Sequence, residues 1–113
     1  MQTVIPAEAS ALARYFTGRV EDTRNALSAC QLGRYADEVC IMLPRTEPEF
    51  ERFVHWTEAM RDTFNRWAAL PQVKAGHDDA VLARAAQCLT RLATDARDVL
   101  SLHTARKARN GGA

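Results

Sequence analysis

The chain has little of what most metal-binding, membrane-spanning and secreted proteins carry in their sequences. Its 113 residues include only three cysteines, three histidines and two lysines. No apolar run approaches the roughly 18 to 20 residues that a bilayer-spanning helix needs. The N-terminal residues also lack the basic and apolar regions of a secretory signal. We therefore predict a cytoplasmic protein without a membrane partner.

The cysteines are too few and too far apart to indicate a zinc site. Cys30, Cys40 and Cys88 form no Cys-x2-Cys pair and have no histidine at ligand spacing. We interpret them as free thiols kept reduced, each within a helical pattern. No metal and no cofactor is predicted.

Catalytic motifs are missing as well. There is no Gly-x-Ser-x-Gly, no phosphate-binding glycine loop and no Rossmann fingerprint. Glu51, His55 and Glu58 share one helix face, like half of a di-iron site, but a helical wheel points that face away from the apolar stripe. We interpret it as a solvated face, and the cluster His77-Asp78-Asp79 as a helix N-cap. The expectation is that the chain is not an enzyme.

What the sequence does contain is typical of one folded domain. Hydrophobic residues make up 47% and charged residues 26% of the chain, which is ordinary for a soluble globular protein. We predict a single domain over residues 1–113, with residues 1–5 and 110–113 frayed.

Apolar residues recur at spacings of three and four, which predicts helices. The predicted apolar stripes are Leu12, Phe16, Val20, Thr23, Leu27 and Cys30 in the first helix, Tyr35, Val39, Met42 and Leu43 in the second, Phe50, Phe53, Thr57, Met60, Phe64 and Trp67 in the third, and Leu82, Ala85, Leu89, Leu92, Ala96 and Val99 in the fourth. Pro44 and Pro71 are expected to end the second and third helices. Thr46 with Glu49 forms a capping box and Pro48 falls in the first turn, whereas Gly33 is expected at the C-terminal end of the first helix. The predicted elements are helices over 6–32, 34–43, 46–70 and 78–108, with a loop over 71–77. The expected fold is an all-α antiparallel bundle of three long helices and one short helix.

Arginine dominates the basic residues, with 13 arginines in a chain of net charge +1. A GC-rich genome explains most of that bias, although arginine is also the preferred residue for phosphate contacts. Arg84 and Arg91 share one exposed face of the last predicted helix, and Arg109 falls near the same direction. Two interpretations stay open: Arg91 pairs with Asp95 at i+4, or the face binds phosphate.

Two further basic features are candidates for the same role. Arg19 falls near the apolar side of the first helix, where it either pairs with Asp22 at i+3 or contacts a partner subunit or a nucleic-acid backbone. Arg106, Lys107 and Arg109 place more positive charge at the C-terminus than a helix dipole requires. With phosphate they would bind in a salt-dependent, sequence-independent way.

In its size, all-helical architecture, arginine-biased surface and absence of an active-site motif, the whole chain resembles the small subunits of multi-subunit CRISPR–Cas effector complexes. The resemblance implies a short helical bundle that stacks along a larger complex and contacts guide and target nucleic acid through basic residues. The leading prediction is thus a non-enzymatic accessory subunit of a ribonucleoprotein assembly, with other protein subunits and RNA or single-stranded DNA as partners. The alternative is a protein-only interaction module, such as an adaptor, chaperone or homodimer, with Trp56 and Trp67 anchoring the interface.

Overall fold

Five helices follow one another in the residues that the structure, a computed structural model, describes, which are 12–44 and 46–111. In chain order they are α1 (Leu12–Ala29), α2 (Gly33–Ile41), α3 (Glu47–Ala68), α4 (Pro71–Gly76) and α5 (Asp79–Gly111). These ranges contain no strand, so the all-α prediction is confirmed. The predicted start of the first helix at Pro6 lies outside the described residues.

The apolar periodicity correctly identified the side chains that form the core. All described members of the stripes predicted for the first and last helices are buried: Phe16, Val20, Thr23, Leu27 and Cys30 in α1 and the turn that follows it, and Leu82, Ala85, Leu89, Leu92, Ala96 and Val99 in α5. The α2 stripe was partly wrong, because Tyr35 is 36% exposed and Ala36 is buried in its place.

The core consists of two clusters, one toward each end of the bundle. In the first cluster the ring of Phe16 lies 5.9 Å from that of Phe50 and 5.5 Å from that of Phe53, so aromatic side chains join α1 to α3. In the second, Leu27 of α1 and Phe64 of α3 pack with Leu89 of α5. Burial of these side chains in both clusters holds the helices together.

The longest helix, α5, packs along both α1 and α3, while α2 packs on α1. Arg19 of α1 contacts Asp95 of α5, whereas Cys30, just after α1, contacts Val81. Residues later in α1 therefore meet residues earlier in α5, and the two helices are antiparallel. The predicted antiparallel bundle is thereby supported at the interface between α1 and α5.

The end of α1 differs from the prediction. Gly33 begins α2 and has no positive φ, whereas Gln31 adopts the left-handed conformation with φ 64°. The Leu32 N–H donates to the Leu27 carbonyl at 3.0 Å and the Gln31 N–H to the Ser28 carbonyl at 2.9 Å. These two bonds form a Schellman motif, so the helix ends at Ala29 with a non-glycine residue in the strained position.

The predicted loop over 71–77 is wrong, since Pro71–Gly76 forms the short helix α4. Pro71 occupies the first helical position, where its missing N–H costs nothing, and Val73 is buried against the second core cluster. A helix of six residues is too short to show an apolar period in its sequence.

The capping box of α3 is confirmed. The Glu49 N–H donates to Thr46 Oγ1, and the Thr46 N–H donates to a Glu49 carboxylate oxygen.

Candidate functional site

An open groove of about 1010 Å³ runs along one side of the bundle between α1 and α5. Its walls carry side chains too short to fill the space between the two helices, such as Gly18 of α1 and Ala86, Thr90 and Thr94 of α5. Among the described residues, and apart from the backbone of its own helix turns, no heavy atom lies within 4 Å of the position that a Cβ would take at Gly18, so these residues leave the groove open there. The described residues that line it are Gly18, Arg19, Asp22, Thr23, Arg84, Ala86, Gln87, Cys88, Thr90, Arg91, Thr94 and Asp95.

Three of the arginines predicted to contact nucleic acid line this groove together. Arg84 and Arg91 come from α5, and Arg19 comes from α1. Arg84 and Arg91 are exposed and about two helical turns apart. With Asp22 and Asp95 on the same walls, the groove combines three positive charges with two negative ones.

Arg19 pairs with Asp95 of α5 and not with Asp22, the partner that its sequence neighbourhood indicated. Its guanidinium carbon also lies 5.9 Å from the centre of the Tyr15 ring. The i+3 prediction failed because the Arg19 side chain extends across the groove to the neighbouring helix. An ion pair between two helices depends on how the helices pack, and residue spacing within one helix does not predict that packing.

This pairing changes the environment of Arg91. The sequence offered Asp95 as its partner one turn along α5, but the Asp95 carboxylate contacts Arg19. Among the described side chains, neither Arg84 nor Arg91 makes an ion pair. Two exposed guanidinium groups therefore lie on the α5 wall of the groove, and neither pairs with a carboxylate of the described part of the chain.

The remaining polar residues of the groove are uncharged apart from Asp22 and Asp95. The buried Thr23 hydroxyl donates to the Arg19 carbonyl at 2.8 Å, within its own helix. Gln87, Thr90 and Thr94 are exposed on α5. No aromatic residue is among the described residues that line the groove, so none of them offers a ring on which a base would stack.

The predicted C-terminal contact involves three basic side chains near the end of α5. The backbone of α5 continues to Gly111, but the side chains of Arg106, Lys107 and Arg109 lie outside the described part of the structure. Their predicted contact with phosphate stays a prediction.

The two tryptophans are half-buried and make contacts within the chain. The Trp56 indole N–H donates to the Glu38 carboxylate and so joins α3 to α2. The Trp67 ring lies 5.6 Å from that of Phe64 and 5.2 Å from that of His77. Both indoles pack against the core clusters, and their role at an interface with a partner stays a prediction.

The predicted solvated face of α3 contains an ion pair with α5. Arg97 donates to both carboxylate oxygens of Glu58, from Nε at 2.9 Å and from Nη2 at 2.6 Å. That hydrogen bonding, together with the nearby positive charge, lowers the pKa of Glu58. Glu51 and His55 are exposed, and the described residues contain no group of three or more His, Cys, Asp or Glu that could hold a metal ion.

Residues 77–79 have two separate roles: Asp78 caps α5, and His77 acts as a tether, that is, it connects α4 to the end of α1. Asp78 Oδ1 accepts from the Ala80 N–H at 2.8 Å, which confirms the predicted N-cap of α5. His77 instead places Nδ1 2.9 Å from the Val73 carbonyl oxygen and Nε2 3.2 Å from the Cys30 carbonyl oxygen. Sequence spacing gave no sign of this tether, because Cys30 is 47 residues away.

The cysteines are free thiols at three depths. Cys30 is buried, Cys88 is half-buried in the groove wall and Cys40 is exposed on α2. Burial raises the pKa of the Cys30 thiol, which donates to the Val81 carbonyl. The thiol of Cys30 therefore acts as a small apolar side chain of the core.

Comparison with known proteins gave no relative: no family model, no curated protein and no solved structure matches the chain. Within the described residues, none of the helices combines the length and the hydropathy that crossing a bilayer requires.

Proposed function

We propose that this chain is a non-enzymatic helical accessory subunit of a larger, cytoplasmic ribonucleoprotein assembly, and that its α1/α5 groove contacts the phosphate backbone of RNA or single-stranded DNA. One observation carries the proposal. Arg84 and Arg91 stand exposed along one wall of a polar groove, and neither makes an ion pair among the described side chains.

The chemistry of these two side chains fits a polyanion. Each guanidinium offers a planar fork of donors that matches phosphate oxygens. The seven-residue separation places the two Cα atoms about 10 Å apart along the helix axis. Two forks at that distance suit an extended chain of phosphates better than a single small anion.

The groove also indicates what kind of contact to expect. The described lining residues include no aromatic ring on which bases would stack, and contacts to the phosphate backbone carry no sequence information. Binding should therefore be electrostatic and independent of sequence. Arg106, Lys107 and Arg109 would extend the positive surface along the chain. Small subunits of CRISPR–Cas effector complexes are the class that this proposal resembles, with neighbouring subunits as further partners.

The test is the salt dependence of binding to a fluorescein-labelled single-stranded RNA of mixed sequence, measured by fluorescence anisotropy. The variant Arg84→Gln/Arg91→Gln should weaken binding at low salt and reduce the slope of log K against log salt by about 2, because each substitution removes one phosphate contact. The matched control is Arg34→Gln/Arg52→Gln, which removes the same charge from exposed positions on α2 and α3 that lie outside the groove. Equal weakening in both variants, or no RNA binding by the unmodified protein, would contradict the proposal.

A second candidate is the protein-only interaction module. It is favoured by Ile41, which is 74% exposed at the end of α2, and by Tyr35, which is 36% exposed on the same helix. Such a module would elute as a stable dimer or hetero-oligomer free of nucleic acid, at low and high salt alike. The variant Ile41→Ser should then dissociate it, whereas Arg84→Gln/Arg91→Gln should leave it intact.

A further inference from the structure

The ion pair between Arg19 and Asp95 determines which arginine of the groove is free. Asp95 lies one turn after Arg91 on α5, and residues four apart on a helix are neighbours on its surface. Two arginines are therefore available as partners for the Asp95 carboxylate: Arg91 on the same helix and Arg19 on α1. In the structure the carboxylate contacts Arg19, across the groove, and Arg91 makes no ion pair with any described side chain.

We infer that Arg19 is a positioning residue of the groove: by holding Asp95 it keeps that carboxylate away from Arg91 and leaves the Arg91 guanidinium open to phosphate. The inference rests on the proposed function and changes one part of the sequence prediction, which placed Arg19 among the direct contacts. Arg84 has no acid of the groove at i+4, where Cys88 stands, so it needs no such partner.

The surroundings of Arg19 support an indirect role. Its guanidinium contacts a carboxylate on one side and lies near the Tyr15 ring on another, so its donors are already partly used. Its side chain is 41% exposed and that of Asp95 is 30% exposed. A pair this exposed contributes little to folding, and removing it should leave the bundle intact.

The test is second-site rescue in the same RNA-binding assay, with folding of each variant verified by circular dichroism. Arg19→Gln should release Asp95 to pair with Arg91, which lowers the affinity about fivefold and reduces the salt slope by about 1. Adding Asp95→Asn should restore both the affinity and the slope, because Arg91 then has no competing carboxylate.

Asp22→Asn provides the matched control for net charge. Asp22 lines the same groove and carries the same charge, but it makes no ion pair with Arg19. If only the summed charge of the groove matters, Asp22→Asn should rescue Arg19→Gln as well as Asp95→Asn does, and the inference would be overturned. It would be overturned too if neither substitution restored the salt slope, since Arg19 would then contact phosphate itself.

The outcomes separate this inference from the proposed function. Failure of rescue, with Arg84→Gln/Arg91→Gln still specifically impaired, contradicts the positioning role alone. Absence of RNA binding by the unmodified protein and by Asp95→Asn contradicts both.

Discussion

Among the described helices, α5 packs most extensively against α1 and α3, and these two interfaces differ. Toward α3 the space is filled by aromatic side chains such as Phe53, and Arg97 closes the rim by donating twice to Glu58. Toward α1 the walls carry Gly18 and short α5 side chains, and a groove remains. Side-chain size decides which interface closes, and Arg84 and Arg91 lie on the open one.

The closed interface should be the more sensitive to truncation. Phe53 is fully buried, and Phe53→Ala removes the contact with Phe16 and leaves a cavity in the first core cluster. We expect the free energy of unfolding to fall by about 3–5 kcal/mol in urea titrations. Ile41→Ala, at a largely exposed position, should change it by less than about 0.5 kcal/mol. Similar decreases in the two variants would mean that the core is not where the burial indicates.

His77 lies between α4 and α5 and connects this turn to the end of α1, because its ring nitrogens face the carbonyl oxygens of Val73 and Cys30. His77→Ala removes these contacts with α4 and with the end of α1, and it should cost about 1–2 kcal/mol of unfolding free energy. His55→Ala, at an exposed position of α3, provides the control and should be near neutral. If the two histidine variants have the same free energy of unfolding, the His77 contacts do not contribute to stability.

Gly18 tests whether the groove is empty within this chain. Because the Cβ of an alanine would meet no other part of the described chain within 4 Å, Gly18→Ala should raise the free energy of unfolding by about 0.5–1 kcal/mol through helix propensity alone. Thermal and urea unfolding measure the change. A destabilised variant would show that another part of the chain packs against this position.

The ion pair at the rim of the closed interface should give the smallest effect. The hydrogen bond from Arg97 lowers the pKa of Glu58, so the ionised carboxylate stabilises the fold at neutral pH and that contribution disappears as the pH falls through its lowered pKa. Glu58→Gln should lower the melting temperature slightly at neutral pH, and the difference from the unmodified protein should shrink in acid. A difference in melting temperature that grows toward low pH would contradict this account, because protonation of Glu58 should remove the contribution of the ion pair in acid.

The closed interface was easier to predict from the sequence than the open one. Stripes at spacings of three and four identified Phe16, Phe53 and Leu89 as core, because burial on a helix follows its own period. The helix α4 was missed, since six residues are too few for a period and Pro71 was interpreted as a stop when it is a start. The left-handed residue at the end of α1 was misplaced because glycine is the usual occupant and Gln31 is not.

For the candidate site, helical wheels correctly selected two arginines of α5 that line the groove. They did not predict which side chains of other helices lie beside these arginines. Arg84 and Arg91 share a face because they are seven residues apart in one helix. Arg19 and Asp95 meet only because α1 and α5 pack antiparallel, across 76 residues of sequence. A groove forms where the side chains of two helices do not fill the space between them. The residue pattern of either helix alone does not predict this.

The most direct test of the central claim is a map of where RNA binds. We propose to titrate isotope-labelled protein with the single-stranded RNA and to follow the backbone amide resonances by NMR. We predict shifts concentrated at residues 18–23 of α1 and 84–95 of α5, with the exposed face of α3 around His55 unaffected. Shifts centred on α2 or α3, or no shifts at all at low salt, would contradict the claim.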